Sequence, residues 1–233
     1  MSVFRFKEFS IIQDRSTMKV GTDAMLLGSF IESNQKGNCL EIGTGTGVIS
    51  LMIAQRSPKL RITALDIDSE SLEEAIQNFQ NSPWSNRLEG ILEDFLDYST
   101  TEKFDLIVSN PPYFENGLLN ESKRKASARH EASLPLYDLF KKSSDLLKEN
   151  GCFSLIIPFE TSSKWIVKAK EFQLNCFKKI TIFGKPNLPK RSILFFSKNE
   201  KDKMEDQLII RDEDNSYTEA YKSLTFDFHG VAL

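Results

Sequence analysis

Four consecutive residues, Asn110, Pro111, Pro112 and Tyr113, close the apolar run "DLIVS" and have the types needed to work on a planar nitrogen. Proline donates no backbone hydrogen bond and fixes its own φ, so a strand stops there and the turn is stiff. An exocyclic amine on a base or an amide is a poor nucleophile, because its lone pair is delocalised. Two fixed acceptors for its N–H groups help, and the Asn110 side-chain carbonyl and the Pro111 backbone carbonyl are the candidates. Tyr113 is placed to stack on a planar substrate, a contact worth about 1–3 kcal/mol for a base. The plain alternative is a double-proline turn that only ends a strand.

A second group lies upstream. In "LEIGTGTGV" the glycines Gly43, Gly45 and Gly47 are spaced G-x-G-x-G, with Val48 where the dinucleotide fingerprint has its last glycine. Glycine allows positive φ and close backbone approach to a ligand. The helix N-terminus that follows offers free N–H groups to an anion such as a carboxylate. Glu41, just before the glycines, is an unusual charge for a buried strand and is expected to accept from a ligand amine. Asp66 ends the next strand, where an acidic residue can grip both hydroxyls of a ribose, and Ile67 follows it at the same site. After the third strand comes "EDFLD", in which Asp94 is a candidate acceptor for an adenine amino group and Phe95 a candidate flank for the ring. Asn110 lies at the end of the fourth strand, so all these residues fall in order at successive strand ends. In an open α/β sheet that edge binds ligands.

The elements that must position them read clearly. "FRFKEF" alternates apolar and basic residues and predicts a short strand, with "SIIQD" as its hairpin partner. "TDAMLLGSFI" predicts a helix capped by Thr22 or Asp23. From Asn38 onward strands alternate with helices: "CLEIG", "GVISLMIAQRS", "RITALDI", "SESLEEAIQNFQ", "RLEGILE", "FDLIVS", "LPLYDLFKKSSDLLK" and "CFSLIIP". Such alternation predicts a parallel sheet covered on both faces. "CFKKITIF" and "RSILFFSK", joined by "GKPNLPK", predict an antiparallel hairpin. Helix capping after Asp66 is expected from Asp68 or Ser69. The expectation is one domain over residues 1–233, with an N-terminal hairpin and helix (1–35) ahead of the α/β core (36–233).

With 233 residues, 40% hydrophobic and 27% charged, the composition is that of an ordinary soluble chain. No apolar run is long enough for a membrane span, and "MSVFRFKEFS" lacks a signal-peptide core. Three cysteines without metal-ligand spacing (Cys39, Cys152 and Cys176) predict reduced core residues and a cytoplasmic protein. No metal is expected. The net charge of −3 argues against a uniformly basic nucleic-acid binder, but the charge is unevenly spread. The basic residues Lys123, Arg124, Lys125 and Arg129, with His130, follow the proline turn, and Lys185, Lys190 and Arg191 flank the C-terminal hairpin. Runs of this kind steer polyanions or simply face solvent.

The glycine turn with Glu41, Asp66 and Asp94 resembles the S-adenosylmethionine site of Rossmann-type methyltransferases, and "NPPY" resembles their amino-group signature. That resemblance implies a class I methyltransferase fold: a mainly parallel seven-stranded sheet with an antiparallel C-terminal hairpin and helices on both faces. "NPPY" alone is shared by adenine-N6 enzymes of DNA and RNA and by glutamine methyltransferases of release factors; guanine-N2 enzymes typically carry phenylalanine in the last place. "FKEFSIIQDRSTMKVGTDAMLLGSF", "NPPYF" and "SARHE" together resemble the bacterial tRNA adenine-N6 methyltransferases that act on adenine 37 of valine tRNA. The likeness covers nearly the whole chain, including "LPKRSILFFSK" and a terminal strand at "YKSLTFDF". It implies S-adenosylmethionine as cofactor, tRNA as partner, and Lys19, Thr22 and Asp23 beside the cofactor pocket. It gives the basic runs a use on an RNA backbone, and turns the acidic stretch 199–219 away from RNA. A monomer is favoured. The rivals are a ribosomal-RNA guanine-N2 enzyme, a release-factor glutamine enzyme, and a non-catalytic module on the same fold.

Overall fold

The computed structural model describes residues 2–16, 18–33, 35–111 and 136–229. Strands β1 (Val3–Arg5) and β2 (Ser10–Ile12) form the expected antiparallel hairpin, with Phe4 opposite Ile11. Helix α1 (Thr22–Phe30) follows, buried along Ala24 to Ser29, so it is apolar all round as a core helix should be. Its N-cap is Gly21, which makes no side-chain cap bond; Thr22 and Asp23 already lie inside the first turn. The expected cap is therefore corrected by one residue, and Asp23 is released for another partner.

The alternating elements come next: β3 (Lys36–Ile42), α2 (Val48–Arg56), β4 (Lys59–Asp66), α3 (Ser69–Gln80), β5 (Leu88–Leu92) and β6 (Phe104–Ser109). Then come α4 (Leu136–Leu146), β7 (Leu147–Pro158), α5 (Phe159–Ala169), β8 (Asn175–Phe183) and β9 (Pro189–Ser197). One eight-stranded sheet results, in the order β10-β8-β9-β7-β6-β3-β4-β5, where β10 is Met204–Ile209. β3 to β7 run parallel, and β9 is antiparallel to both β7 and β8. The eighth strand lies inside the acidic stretch, pairing with β8 at the sheet edge farthest from β5. Its residues Met204 to Gln207 are exposed, so the period-2 pattern that betrays a half-buried strand is absent there.

Side chains alternate between two cores. Cys39, Leu106, Val108 and Ile156 face one, with α1, α2 and α3; Leu40, Ile42, Ile107, Phe153 and Leu155 face the other, with α4 and α5. Glu41 has the same parity as Cys39 and so points toward α2. The reversal of strand order falls at β3, between β4 and β6, which places the crevice at the ends of β3 and β6.

The expected terminal strand at "YKSLTFDF" is instead a helix, α6 (Glu219–Thr225). Thr218 caps it by accepting from Tyr221 N at 3.1 Å. Buried Tyr221, Thr225 and Phe228 sit at helical spacing, and this pattern overrides the weaker alternation in the same letters. Phe228 ends in the core with the first hairpin. Phe6 bridges to His229, Lys7 N donates to Phe228 O at 3.0 Å, and the Lys7 ammonium donates to Phe226 O. Cys39, Cys152 and Cys176 are free thiols. Among the described residues no helix is long and apolar enough to cross a membrane.

Candidate active site and cofactor cavity

Beyond Ile42 the chain turns through Gly43 to Gly47 and enters α2. Gly43, Gly45 and Gly47 all have left-handed φ, at +73°, +54° and +80°. That conformation disfavours any residue with a Cβ. Gly47 is doubly constrained, since a Cβ there would lie 2.5 Å from the Phe79 ring. At Gly43 a Cβ would meet nothing within 4 Å, so this side of the turn is open. The turn is pinned to the end of β4: Gly43 N and Thr44 N both donate to Leu65 O, and Gly45 N donates to Asp66 Oδ2 at 2.7 Å.

Glu41 is fully buried beneath this turn, behind the residues that line the cavity. Its Oε2 accepts from Thr44 Oγ1 at 2.8 Å, from Ser50 N at 3.1 Å and from Ser50 Oγ. It thus braces the turn against α2 from below. Oε1 is buried without a hydrogen-bond partner among the described residues. Burial pushes the carboxyl up to about 7, against the opposing hydrogen bonds from Ser50 and Thr44. The folded chain then holds this proton more tightly than the unfolded chain, whose carboxyl titrates near the ordinary 4.5. Stability contributed by Glu41 is therefore present at low pH and falls as pH rises toward about 7, by a total on the order of 3 kcal/mol. Denaturant midpoints measured from about pH 5 to about pH 7.5 should fall more in the wild type than in Glu41→Gln. Parallel curves would place the titration on another group.

The cavity has a volume of about 260 Å³. Met18, Lys19, Thr22 and Asp23 form one wall, Gly43 to Thr46 the floor, and Asn110 the side nearest β6. The predicted glycine turn, the predicted α1 segment and the predicted amine acceptor therefore meet at one opening. Ser109 Oγ donates to Ile42 O at 3.0 Å and fixes the end of β6 against the end of β3, so Asn110 is held beside Gly43.

Asp66 is half-buried next to the turn. Burial pushes its carboxyl up, opposed by bonds from the Asp68 and Gly45 amides. Asp68 caps α3 as expected, accepting from Ser71 N at 3.3 Å, which leaves Asp66 out of that task. Ile67 is 54% exposed beside it. Asp94 Oδ1 accepts from Leu96 N at 2.8 Å and opens a turn. Phe95 does not present its ring as expected: it is 4% exposed and packed in the second core. The exposed apolar surface there belongs to Ile67, Leu92 and Leu96.

Arg191 also departs from expectation. Its Nε donates to Asp23 Oδ2 at 2.8 Å, so it serves the cavity wall and not only an outer rim. Lys190 is exposed on the same hairpin, and Lys185 Nζ donates to Glu213 O at 3.4 Å. Pro112, Tyr113, Lys123, Arg124, Lys125, Arg129 and His130 lie outside the described residues. Met18, Thr44 and Thr46 in the cavity, and Glu74 and Asn78 behind its wall, are not among the residues predicted from the motifs. The last two carried a legible signal: polar residues one turn apart, on the face of α3 that also buries Leu72, Ala75 and Phe79.

A parallel sheet covered on both faces, with a left-handed glycine turn and an acidic strand end at its switch point, is the architecture of Rossmann-type S-adenosylmethionine-dependent methyltransferases. The model of the family "Methyltransferase small domain" matches residues 15–171. A tRNA1(Val) (adenine(37)-N6)-methyltransferase of Bacteroides thetaiotaomicron is 39% identical over 228 residues, covering 97% of this chain and 96% of its own. One of Flavobacterium psychrophilum is 40% identical over 232 residues, covering 97% and 99%. The crystal structure of a predicted O-methyltransferase from Agrobacterium tumefaciens superposes with a TM-score of 0.70 at 19% identity, covering 88% of this chain and 96% of that one, a likeness of fold. The chain belongs to the tRNA1(Val) (adenine(37)-N6)-methyltransferase family.

Proposed function

We propose that this protein methylates the exocyclic N6 amine of adenine 37 in tRNA1(Val), with residues 1–233 working as one domain. The observation that carries the reading is the shared cavity: Asn110 opens onto the same space as the glycine turn. The chain's residues fit S-adenosylmethionine. The open side of Gly43 and the N-terminus of α2 suit its amino-acid end, the Asp66 carboxylate suits ribose hydroxyls, and exposed Ile67 suits one face of the adenine. When bound, that cofactor supplies a methyl group already activated on a sulfonium.

The protein's own contribution is then positioning and electrostatics. The Asn110 side-chain carbonyl and the Pro111 main-chain carbonyl each take an N–H of the target amine. They orient its lone pair into the cavity and stabilise the positive charge that grows on nitrogen, and one N–H proton leaves to solvent. The target base must be turned out of its stack to reach Asn110. An unpaired loop base makes that less costly. Lys185, Lys190 and the basic run 123–130 are the candidate phosphate contacts, which predicts affinity for RNA that falls steeply with salt.

Methyl transfer from labelled S-adenosylmethionine to undermodified bulk tRNA, with the digested nucleosides resolved by mass spectrometry, tests this directly. Labelled N6-methyladenosine is the expected product. Labelled guanosine would keep the chemistry and change the substrate. Label on a release factor, with none in RNA, would overturn the RNA reading.

A further inference from the structure

The cavity wall at 18–24 is not held by its own neighbours alone. Behind it, α3 presents Glu74 and Asn78, which are 0% and 1% exposed. Glu74 Oε1 accepts from Asp14 N at 2.7 Å and Arg15 N at 3.0 Å, and Oε2 accepts from Ser16 N at 2.9 Å. A single buried carboxylate thus gathers three successive main-chain amides of an irregular segment. Asn78 Oδ1 accepts from Ile12 N at 2.8 Å, while its Nδ2 donates to Ile12 O and to Thr46 O, both at 2.9 Å. Thr46 belongs to the glycine turn, so one amide ties the N-terminal segment to the cavity floor. The grip then passes to the wall: Gln13 Oε1 accepts from Val20 N at 2.9 Å, and Ser16 Oγ donates to Met18 O at 3.2 Å.

We propose that Glu74 and Asn78 are positioning residues for cofactor binding. They set the distance between the 18–24 wall and the glycine turn, and so fix the width of the cavity before any ligand enters. The inference rests on the cavity being the S-adenosylmethionine site. A bulk-stability role is a different assignment, because such a role would leave affinity unchanged wherever the chain is fully folded. Two bonding chains, through Ser16 and through Thr46, converge on the walls from one helix. A loosened wall must be ordered again at each binding event, and that ordering lowers affinity.

The test compares wild type, Glu74→Ala, Glu74→Gln and Asn78→Ala by S-adenosylmethionine titration calorimetry, well below each unfolding midpoint, with amide hydrogen exchange of the unliganded proteins. Glu74→Ala and Asn78→Ala are expected to bind roughly tenfold more weakly. Exchange should be faster at Ile12 and Asp14 to Ser16 and unchanged in β3 and β6. Glu74→Gln keeps one carbonyl acceptor for Asp14 N and Arg15 N, and should recover part of the affinity. Wild-type affinity in folded Glu74→Ala and Asn78→Ala, with faster exchange at 12–16, would overturn the positioning role while sparing the site. A wild-type protein that itself failed to bind S-adenosylmethionine would overturn the site, and this inference with it. If Glu74→Ala does not fold, Glu74→Gln and Asn78→Ala decide the matter by the same two readouts.

Discussion

Asn110→Ala is expected to lower the single-turnover rate of methyl transfer by roughly 10²–10³-fold, the cost of removing one preorganised hydrogen-bonding group from a developing charge. The affinity for S-adenosylmethionine should change by no more than a few-fold. Asn110 touches the cavity at its β6 side only, whereas the floor and the opposite wall come from Gly43 to Thr46 and from 18–24. The variant therefore leaves most of the cavity intact and removes one acceptor from the amine. Rates would be measured with saturating cofactor and tRNA, and affinity by calorimetry on the same preparation. A fall in affinity as large as the fall in rate would move Asn110 from the amine to the cofactor. Asn110→Asp is the useful companion. It keeps an oxygen where the amine needs one and should retain more activity than alanine.

Asp66→Ala should do the reverse, weakening S-adenosylmethionine binding by about 10²-fold. Two hydroxyl groups that donate to a carboxylate are charge-assisted partners, each worth about 1.5–3 kcal/mol. The residue also holds Gly45 N at 2.7 Å and Asp68 N at 3.0 Å, so part of the loss would come from the loosened glycine turn. The two contributions separate with a cofactor analogue lacking a ribose hydroxyl. Wild type should discriminate strongly against it, and Asp66→Ala hardly at all. Equal discrimination by both proteins would leave Asp66 a brace of the turn and nothing more.

The contrast between Asp66 and Glu41 shows how far the letters reach. Both are acidic residues near the glycines, and both were expected to meet the ligand. Asp66 is the last residue of β4, half-buried, with its carboxylate on Gly45 N of the turn; Glu41 sits one residue inside β3, where parity aims it at Ser50 of α2. Distance from the strand end therefore decides how deeply each carboxylate is buried, and it is set by register, which only the folded sheet supplies. The parallel core, the capping of α3 by Asp68 and the placing of Asn110 beside the glycine turn were legible, because each follows from local pattern or strand order. The pairing of Arg191 with Asp23 was not, since it joins residues 168 apart in sequence. Phe95 misled for a related reason: an aromatic next to a candidate acceptor suits a ring-stacking role, but its burial depends on how the distant residues of the second core assemble around it. The "YKSLTFDF" stretch offered two periods at once, and burial against the first hairpin selected the helical one.

The bridge from Phe6 to His229 carries a further consequence for synthesis on the ribosome. Lys7 and the Phe226 carbonyl that receives it are 219 residues apart, so the first hairpin must wait for a stretch made much later. Strands β3 to β7 can pair as they appear, each beside a neighbour already made or soon to follow. The first hairpin cannot gain its bond to Phe228 O until some two hundred further residues have been threaded. A nascent chain halted near the end of β9 would thus display a sheet and a glycine turn with the hairpin still lacking those last partners. The contacts that complete the hairpin's seat are made only once Phe226 to His229 have emerged.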